Sequence, residues 1–357
     1  MWGNLFFFIK KSSFHLRFIC NKNPANLKTF CHFLWHSVFI DEKGDIYTCC
    51  HLKPGKIGNI YRNKLASIWK KSFSLKKFRW QSLNGYLPCF KQCNILTQGE
   101  KKNMRLSLMK FYPKHPGRIW IQYSQFCNQS CIMCPQNHCL KTMLDNKTLK
   151  QNIDWSNVQD IILQGGEILA ITQAKDFYLW LTKKQKKKVN LITNGMLIKN
   201  KWFKYLIEGS NWIQISVNAA TETTHEKVNQ GSKFDIVIDN IGKLVRTKAT
   251  LKSNTEIIYK YTIIPENIDE IPLAIVFAEK LGCDSIQYGY SDDAFKLLRG
   301  NQGLCLKINE KITDLLTKKK LKLKIYKGGL WYLGLLDVKI KSKNVFKEIR
   351  WYEQKNH

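Results

Sequence analysis

The stretch Ile119-Trp120-Ile121-Gln122-Tyr123-Ser124-Gln125-Phe126-Cys127-Asn128-Gln129-Ser130-Cys131-Ile132-Met133-Cys134 decides how this chain is read. Its first five residues are β-branched or aromatic around one glutamine, which predicts a buried strand. The cysteines that follow are spaced C-x3-C-x2-C and fall on the loop after that strand. Three thiolates from one tight loop suit three irons of a cubane cluster and leave the fourth iron without a protein ligand. An open coordination position marks a reaction centre, as it does in catalytic zinc sites. Cys139 lies five residues past Cys134 and keeps a second option open here, a four-thiolate zinc or ferredoxin-type site.

Downstream the pattern alternates. Strand-like runs at 161–163, 189–193, 212–217, 256–264 and 285–290 are separated by helical patterns at 171–181, 198–207, 234–245 and 268–281. Repeated strand–helix alternation predicts a parallel α/β sheet, open or closed into a barrel, with its chemistry on the loops after the strands. Two of those loops hold further candidates: Gly165-Gly166-Glu167 ends the second strand, and Ser216-Val217-Asn218 ends the fourth. Glycines let backbone carbonyls approach a ligand closely, and a carboxylate beside them can accept from an ammonium group. Ser216 and Asn218 suit either a cofactor contact or a plain helix cap. Asn194, after the third strand, is a weaker candidate of the same kind.

Upstream the chain changes character. Phe39-Ile40, the turn Asp41-Glu42-Lys43-Gly44 and Ile46-Tyr47 predict a hairpin, and 64–78 reads as helical. This part also carries cysteines: Cys31, Cys49-Cys50, Cys89 and Cys93. Four thiolates closing a short hairpin onto a later Cys-x3-Cys turn would stabilise a unit with few core residues. Cys31, Cys49, Cys89 and Cys93 are the expected ligands, with Cys50 a substitute for one of them and zinc the alternative to an iron–sulfur cluster. Cys20, Cys283 and Cys305 stand alone and read as core residues.

The bulk numbers fit a folded enzyme. At 357 residues and 44% hydrophobic, the chain can bury one large core and a smaller one. Leu5-Phe6-Phe7-Phe8-Ile9 is too short for a signal-peptide core or a membrane span. The expectation is therefore a cytoplasmic protein with no membrane partner, whose twelve cysteines bind metal rather than form disulfides. The net charge of +31 would suit an acidic partner, but only eight of the 58 basic residues are Arg, and these are scattered. Arg is the side chain that grips phosphates and reads bases, so a lysine-biased surface is expected rather than nucleic-acid binding. Lys183-Lys184-Gln185-Lys186-Lys187-Lys188 reads as a solvated helix-to-strand loop, remote from the cysteine loop.

Taken together, C-x3-C-x2-C after the first strand, Gly165-Gly166-Glu167 one strand on, and Ser216-Val217-Asn218 followed by His225 to Gly231 and Phe234 resemble the core of the radical S-adenosylmethionine superfamily. The resemblance spans roughly 118–290. It departs from the usual pattern at Met133, where the family commonly has an aromatic residue. The opening C-x12-G-x4-C of Cys31, Gly44 and Cys49, with Gly58-Asn59-Ile60, is similar to the SPASM/twitch domains attached to many such enzymes. Those usually follow the barrel; here the unit precedes it.

The resemblance implies a partial (β/α)6 TIM-type barrel over 118–292, an auxiliary iron–sulfur domain over 20–100, a linker over 101–117 and a Lys-rich extension over 293–357. It implies a catalytic [4Fe-4S] cluster on Cys127, Cys131 and Cys134, with S-adenosylmethionine chelated at the open iron. Gly165, Gly166 and Glu167 would receive its ammonium group, and Ser216 and Asn218 would lie near its ribose. An electron donor of the flavodoxin or ferredoxin type and a peptide or protein substrate are the implied partners, with sugars or small metabolites as the alternative substrates. The reading from another class is a non-enzymatic zinc or iron–sulfur protein that binds nucleic acid through its lysines.

Overall fold

The computed structural model describes residues 31–50, 55–83, 87, 89, 113–318, 320–326 and 328–335. The six expected core strands form as β4 (Arg118–Gln122), β5 (Asp160–Gln164), β6 (Val189–Thr193), β7 (Trp212–Ser216), β8 (Glu256–Ile263) and β9 (Ser285–Tyr290). All neighbours among them pair in parallel, in sequence order. Helices Thr172–Leu179, Trp202–Gly209, Phe234–Thr250 and Ile271–Lys280 return the chain between strands, the connection a parallel pair requires. The first of these continues as a π-helical turn, Trp180–Lys184.

The strands are apolar on the face that the helices cover, and their other face mixes apolar with polar residues. One face points at the helices: Ile119, Ile121, Ile161, Leu163, Leu191, Ile213, Ile215, Tyr259, Tyr261 and Tyr288 belong to one continuous core. The other face carries Phe39, Ile162 and Ile258, which are buried yet lie outside that core. We call this second side the lumen.

Two features lie beyond the sequence reading. The amino-terminal hairpin, β1 (Ser37–Ile40) and β2 (Asp45–Tyr47), does not form a separate sheet. β1 pairs in parallel with β4, Ser37 opposite Arg118 and Ile40 opposite Ile121. The sheet therefore runs through both units as ten strands in the order β10-β9-β8-β7-β6-β5-β4-β1-β2-β3, with β3 at Gly58–Asn59. The carboxyl-terminal extension also joins it: helices Asp292–Gly300 and Gln302–Lys318 lead to β10 (Lys324–Tyr326), parallel to β9. The helical pattern expected over 64–78 breaks in two, Leu65–Lys71 and Phe73–Leu83, because Ser72 leaves helical backbone (φ −55°, ψ 119°) and its hydroxyl accepts from Leu75 N–H.

The parallel β1–β4 pair fixes which features share an end. The turn 41–44 lies with the loops after the core strands, beside the Cys127–Cys134 loop. Residues 48–50, after β2, lie at the opposite end with Arg118. Arg118 donates to Asp160 at 2.5 Å, and Asn190 donates to the other carboxylate oxygen at 2.9 Å, giving the lumen a polar floor. Among the described residues no helix is long and apolar enough to cross a membrane.

Candidate active site

The cysteine loop is held mainly by backbone. Cys127 N–H donates to His138 O, Ser130 N–H to Gln230 O, Ile132 N–H to Val228 O and Cys134 N–H to Cys131 O, at 2.8–3.1 Å. The turn after β5 carries the loop from below. Gly165 and Gly166 have φ of +108° and +52°, backbone that L side chains rarely adopt. A Cβ on Gly166 would lie 1.7 Å from Phe126 O, and one on Gly165 2.5 Å from Ser124 O. Glu167 N–H then donates to Phe126 O at 2.9 Å. The two glycines are thus required by the approach of the cysteine loop itself, besides any ligand.

Cys127, Cys131 and Cys134 are partly buried. Burial pushes the Cys127 thiol up to about 11, with Glu167 and Cys134 adding to the rise. Burial, then the charges of Cys127 and Cys134, push Cys131 up to about 12; burial also raises Cys134. Three neighbouring thiols that resist ionisation are a donor set whose negative charge a cationic cluster relieves on binding, with release of their protons. Among the described residues no three His, Cys, Asp or Glu side chains converge as around a single ion. Cys127, Cys131 and Cys134 lie close enough for their charges to act on one another, and three thiols on one loop are the donor set that a cubane with each thiolate on a different iron would use. Cys139 is exposed on a turn of its own, its N–H donating to Asn137 Oδ1 at 3.3 Å.

The candidate cofactor residues divide. Glu167 is fully buried and its carboxylate is already taken: it accepts from Thr193 Oγ1, Asn194 N–H and Leu169 N–H at 2.7–3.0 Å. A carboxylate that leaves water needs such donors, and they fix the turn that carries Gly165 and Gly166. Asn218 is engaged within the fold as well. It sits at φ +58°, donates to Asn229 Oδ1 at 2.9 Å and accepts from Thr262 N–H at 2.8 Å, so its amide is used in tying β7 to β8. Ser216 differs: it is half-buried and its hydroxyl makes no hydrogen bond among the described residues. Asn194 donates to Asn128 Oδ1 at 2.9 Å and reaches to within 3.9 Å of Cys127 Sγ, at the root of the cysteine loop.

Sequence reasoning missed Glu42, in the amino-terminal turn. Its carboxylate accepts from Gln122 Nε2 at 2.8 Å and from Gln125 Nε2 at 2.5 Å, and Gln125 Oε1 accepts from Asn137 N–H at 2.8 Å. Asp-Glu-Lys-Gly is ordinary hairpin-turn chemistry, and no local signal separates a buried Glu there from a solvated one. Gln136, which accepts from Gly166 N–H at 2.9 Å, was missed likewise.

The second cysteine set lies elsewhere. Cys49 and Cys50 follow β2 at the opposite end of the sheet from the cysteine loop, and the Cys50 thiol is held well above its ordinary value by Cys49 beside it and then by burial. Cys31 is buried, its N–H donating to Ser82 Oγ at 2.8 Å, and Cys89 is partly buried against the core. Cys283 is buried and Cys305 partly so. Cys93 and Cys20 lie outside the described residues.

Residues 121–278 match the family model described as the radical SAM superfamily, and 31–94 match the model described as an iron-sulfur cluster-binding domain. The curated proteins named "Probable GTP 3′,8-cyclase" from Saccharolobus islandicus strains Y.N.15.51 and L.S.2.15 are each 23% identical over 189 residues, 48% of this chain. The chain spans about 60% of the length of these relatives. Among solved structures, Streptococcus suis SuiB bound to precursor peptide SuiA is 14% identical, with a TM-score of 0.46 over 81% of this chain and 70% of that one. Native anSMEcpe with bound AdoMet and Cp18Cys peptide is 17% identical, with a TM-score of 0.40 over 58% and 62%.

Proposed function

Because this chain belongs to the radical S-adenosylmethionine superfamily and carries an iron–sulfur cluster-binding domain ahead of its core, we propose that it is an enzyme abstracting a hydrogen atom from a peptide or protein substrate. The observation that carries the radical chemistry is the cysteine loop after β4, seated on the glycine turn after β5 inside the family match. When bound, a [4Fe-4S] cluster supplies the electron that cleaves the sulfonium C–S bond of S-adenosylmethionine, giving the 5′-deoxyadenosyl radical that takes the substrate hydrogen.

The chain's own part is to hold and exclude. Cys127, Cys131 and Cys134 would hold the cluster as thiolates once their protons are released, and would leave one iron open to the cofactor. The backbone of Gly165 and Gly166 receives the methionine ammonium; Glu167 fixes that turn through Leu169, Thr193 and Asn194 rather than touching the cofactor. Ser216, with its hydroxyl unengaged, faces the ribose. Cys31, Cys49, Cys89 and Cys93 hold the auxiliary cluster, with Cys50 as an alternative ligand, and a small flavodoxin or ferredoxin donates the electron in the cytoplasm. On this reading the auxiliary unit occupies 20–100, the linker 101–117 and the core 118–292, and the extension 293–357 adds β10 to the core sheet.

The peptide reading rests on the auxiliary domain, the module by which this chain resembles enzymes that act on peptides and proteins. A nucleotide substrate is the second reading, favoured by the curated relatives' name, and it draws on the core that both share. Anaerobic incubation with short peptides encoded beside this gene, and separately with GTP, tests the choice. A peptide that accelerates 5′-deoxyadenosine release and gains a mass change supports the first; acceleration by GTP alone overturns it.

A further inference from the structure

Within the same proposed site, and resting on that reading, one cation of the lumen has no partner among the described residues. Lys260 stands on β8, paired with Ser216 of β7 and Gln287 of β9. Its flanking residues Tyr259 and Tyr261 belong to the helix-facing core, so by the alternation of a strand Lys260 points into the lumen. Its ammonium rises toward the end that carries the cysteine loop: a Cβ on Gly289 would lie 3.0 Å from Nζ, and Gly289 pairs with Thr262, two residues further up β8. The glycine leaves the space that the ammonium fills.

Four carboxylates of the lumen and of the cysteine-loop end are engaged elsewhere. Glu256, on the same strand face, is held by Tyr326 at 2.8 Å and Lys324 at 3.8 Å. Asp160 is held by Arg118 and Asn190, Glu42 by Gln122 and Gln125, and Glu167 by Thr193, Asn194 and Leu169. Lys260 is half-buried and makes no hydrogen bond or ion pair among the described residues, and this burial lowers its pKa to about 8. One layer below on β9, fully buried Ser285 carries a hydroxyl with no partner, and across the sheet the indole N–H of Trp120 is also unpartnered. An unpaired ammonium out of bulk water is costly, and so are unpaired buried donors. Together they describe a lumen built to receive acceptors.

We infer that Lys260, with Ser285, forms an anion subsite that takes a carboxylate inside the lumen. That carboxylate belongs either to the methionyl part of S-adenosylmethionine or to the substrate, and the two sources are separable. Holoenzyme, anaerobic and cluster-loaded, is treated with limiting acetic anhydride, and acetylation of Lys260 is followed by peptide mass spectrometry against exposed Lys204 as the reference. Acetate protecting Lys260, where acetamide does not, supports the subsite, because a bound anion holds the amine protonated. Equal labelling in buffer, acetate, acetamide and S-adenosylmethionine overturns it. S-adenosylmethionine affinity is then measured for the Lys260→Met and Lys260→Arg variants at unchanged iron content. A loss of at least tenfold in Lys260→Met, largely restored in Lys260→Arg, assigns the carboxylate to the cofactor; unchanged affinity together with acetate protection assigns it to the substrate. Failure of the wild type to bind S-adenosylmethionine would count against the functional reading, while the acetate arm still reports on Lys260.

Discussion

Gln125 donates its side-chain amide to the Glu42 carboxylate over 2.5 Å, joining a turn of the amino-terminal unit to the first residues of the cysteine loop. The same carboxylate takes Gln122 at the end of β4, and Gln125 passes the restraint to Asn137, beyond Cys134. One buried carboxylate therefore holds the loop at its entry and its exit. Glu42→Ala would leave two amides without their acceptor, at a cost on the order of 1–3 kcal/mol. We expect a lower melting temperature, lower iron content and slower 5′-deoxyadenosine formation, with Glu42→Gln recovering part of each. Unchanged iron content in Glu42→Ala would show that the clamp does not position the loop.

Gly166→Ala should be more damaging than a typical surface change. The added methyl would meet Phe126 O at 1.7 Å in a backbone of positive φ, so the Gly turn or the cysteine loop has to move. Iron bound at the catalytic site is expected to fall while the auxiliary cysteines still load. Full iron content with an unchanged absorption spectrum would contradict this.

The lysine run at 183–188 is not uniformly a solvated loop, which amends the expectation from sequence. Lys183 and Lys184 lie in the π-helical turn, but Lys187 Nζ donates to Ser156 O and Val158 O, both at 3.0 Å, and Lys188 Nζ donates to Glu208 O at 2.6 Å. Replacing Lys183, Lys184 and Lys186 by Gln should stay within about ±0.5 kcal/mol of wild-type stability. Adding Lys187→Gln should cost roughly 1 kcal/mol more, because two carbonyls lose their donor. Neither variant should change 5′-deoxyadenosine formation, since the run precedes β6 and the cysteines lie at the other end of the strands. Urea titration and the activity assay check both parts.

His225 gives the fold a dependence on acid. Its Nδ1–H donates to Val217 O and its Nε2 accepts from Ser232 Oγ, each at 2.8 Å, in a fully buried position. Burial lowers its pKa below the ordinary 6.5. The unfolded chain therefore takes up the proton first as pH falls, and stability declines below about pH 6.5. Wild-type protein should lose more stability between pH 7.5 and 5.5 than His225→Gln, which cannot protonate there. Equal losses would show that His225 is not the group responsible.

The sequence made the core strands legible because each is a short run of Ile, Val, Leu or Tyr bounded by turn residues, and β6 and β9 fall at the expected bounds. The cysteine loop was legible because its three cysteines are close in sequence. Long-range pairing was not. Nothing local in Ser37-Val38-Phe39-Ile40 announces a parallel partner some eighty residues on, so the auxiliary unit read as separate from a sheet that it in fact extends. Helix starts slipped where a side chain took unusual backbone: the pattern from Ile198 becomes helix only at Trp202, after Asn200 at φ +50°. At the site, residue type alone did not separate a cofactor contact from a group that satisfies the protein's own backbone, as Glu167 and Asn218 both do. Lys260 was invisible for the converse reason, one lysine among fifty in a strand whose burial pattern gives it meaning.

The central claim is tested most directly by 5′-deoxyadenosine itself. Anaerobically reconstituted protein with dithionite and S-adenosylmethionine should release it, and Cys127→Ala, Cys131→Ala or Cys134→Ala should each abolish the release, while Cys139→Ala leaves it intact. Two thiolates cannot hold a cluster with one open iron, and Cys139 is an exposed residue outside the set. The triple Cys127/Cys131/Cys134→Ala variant should retain only the auxiliary iron, about four of about eight irons per chain if both clusters are cubanes. Loss of activity in Cys139→Ala as severe as in Cys134→Ala would contradict the open-iron site, and no 5′-deoxyadenosine from the fully loaded wild type would contradict the account as a whole.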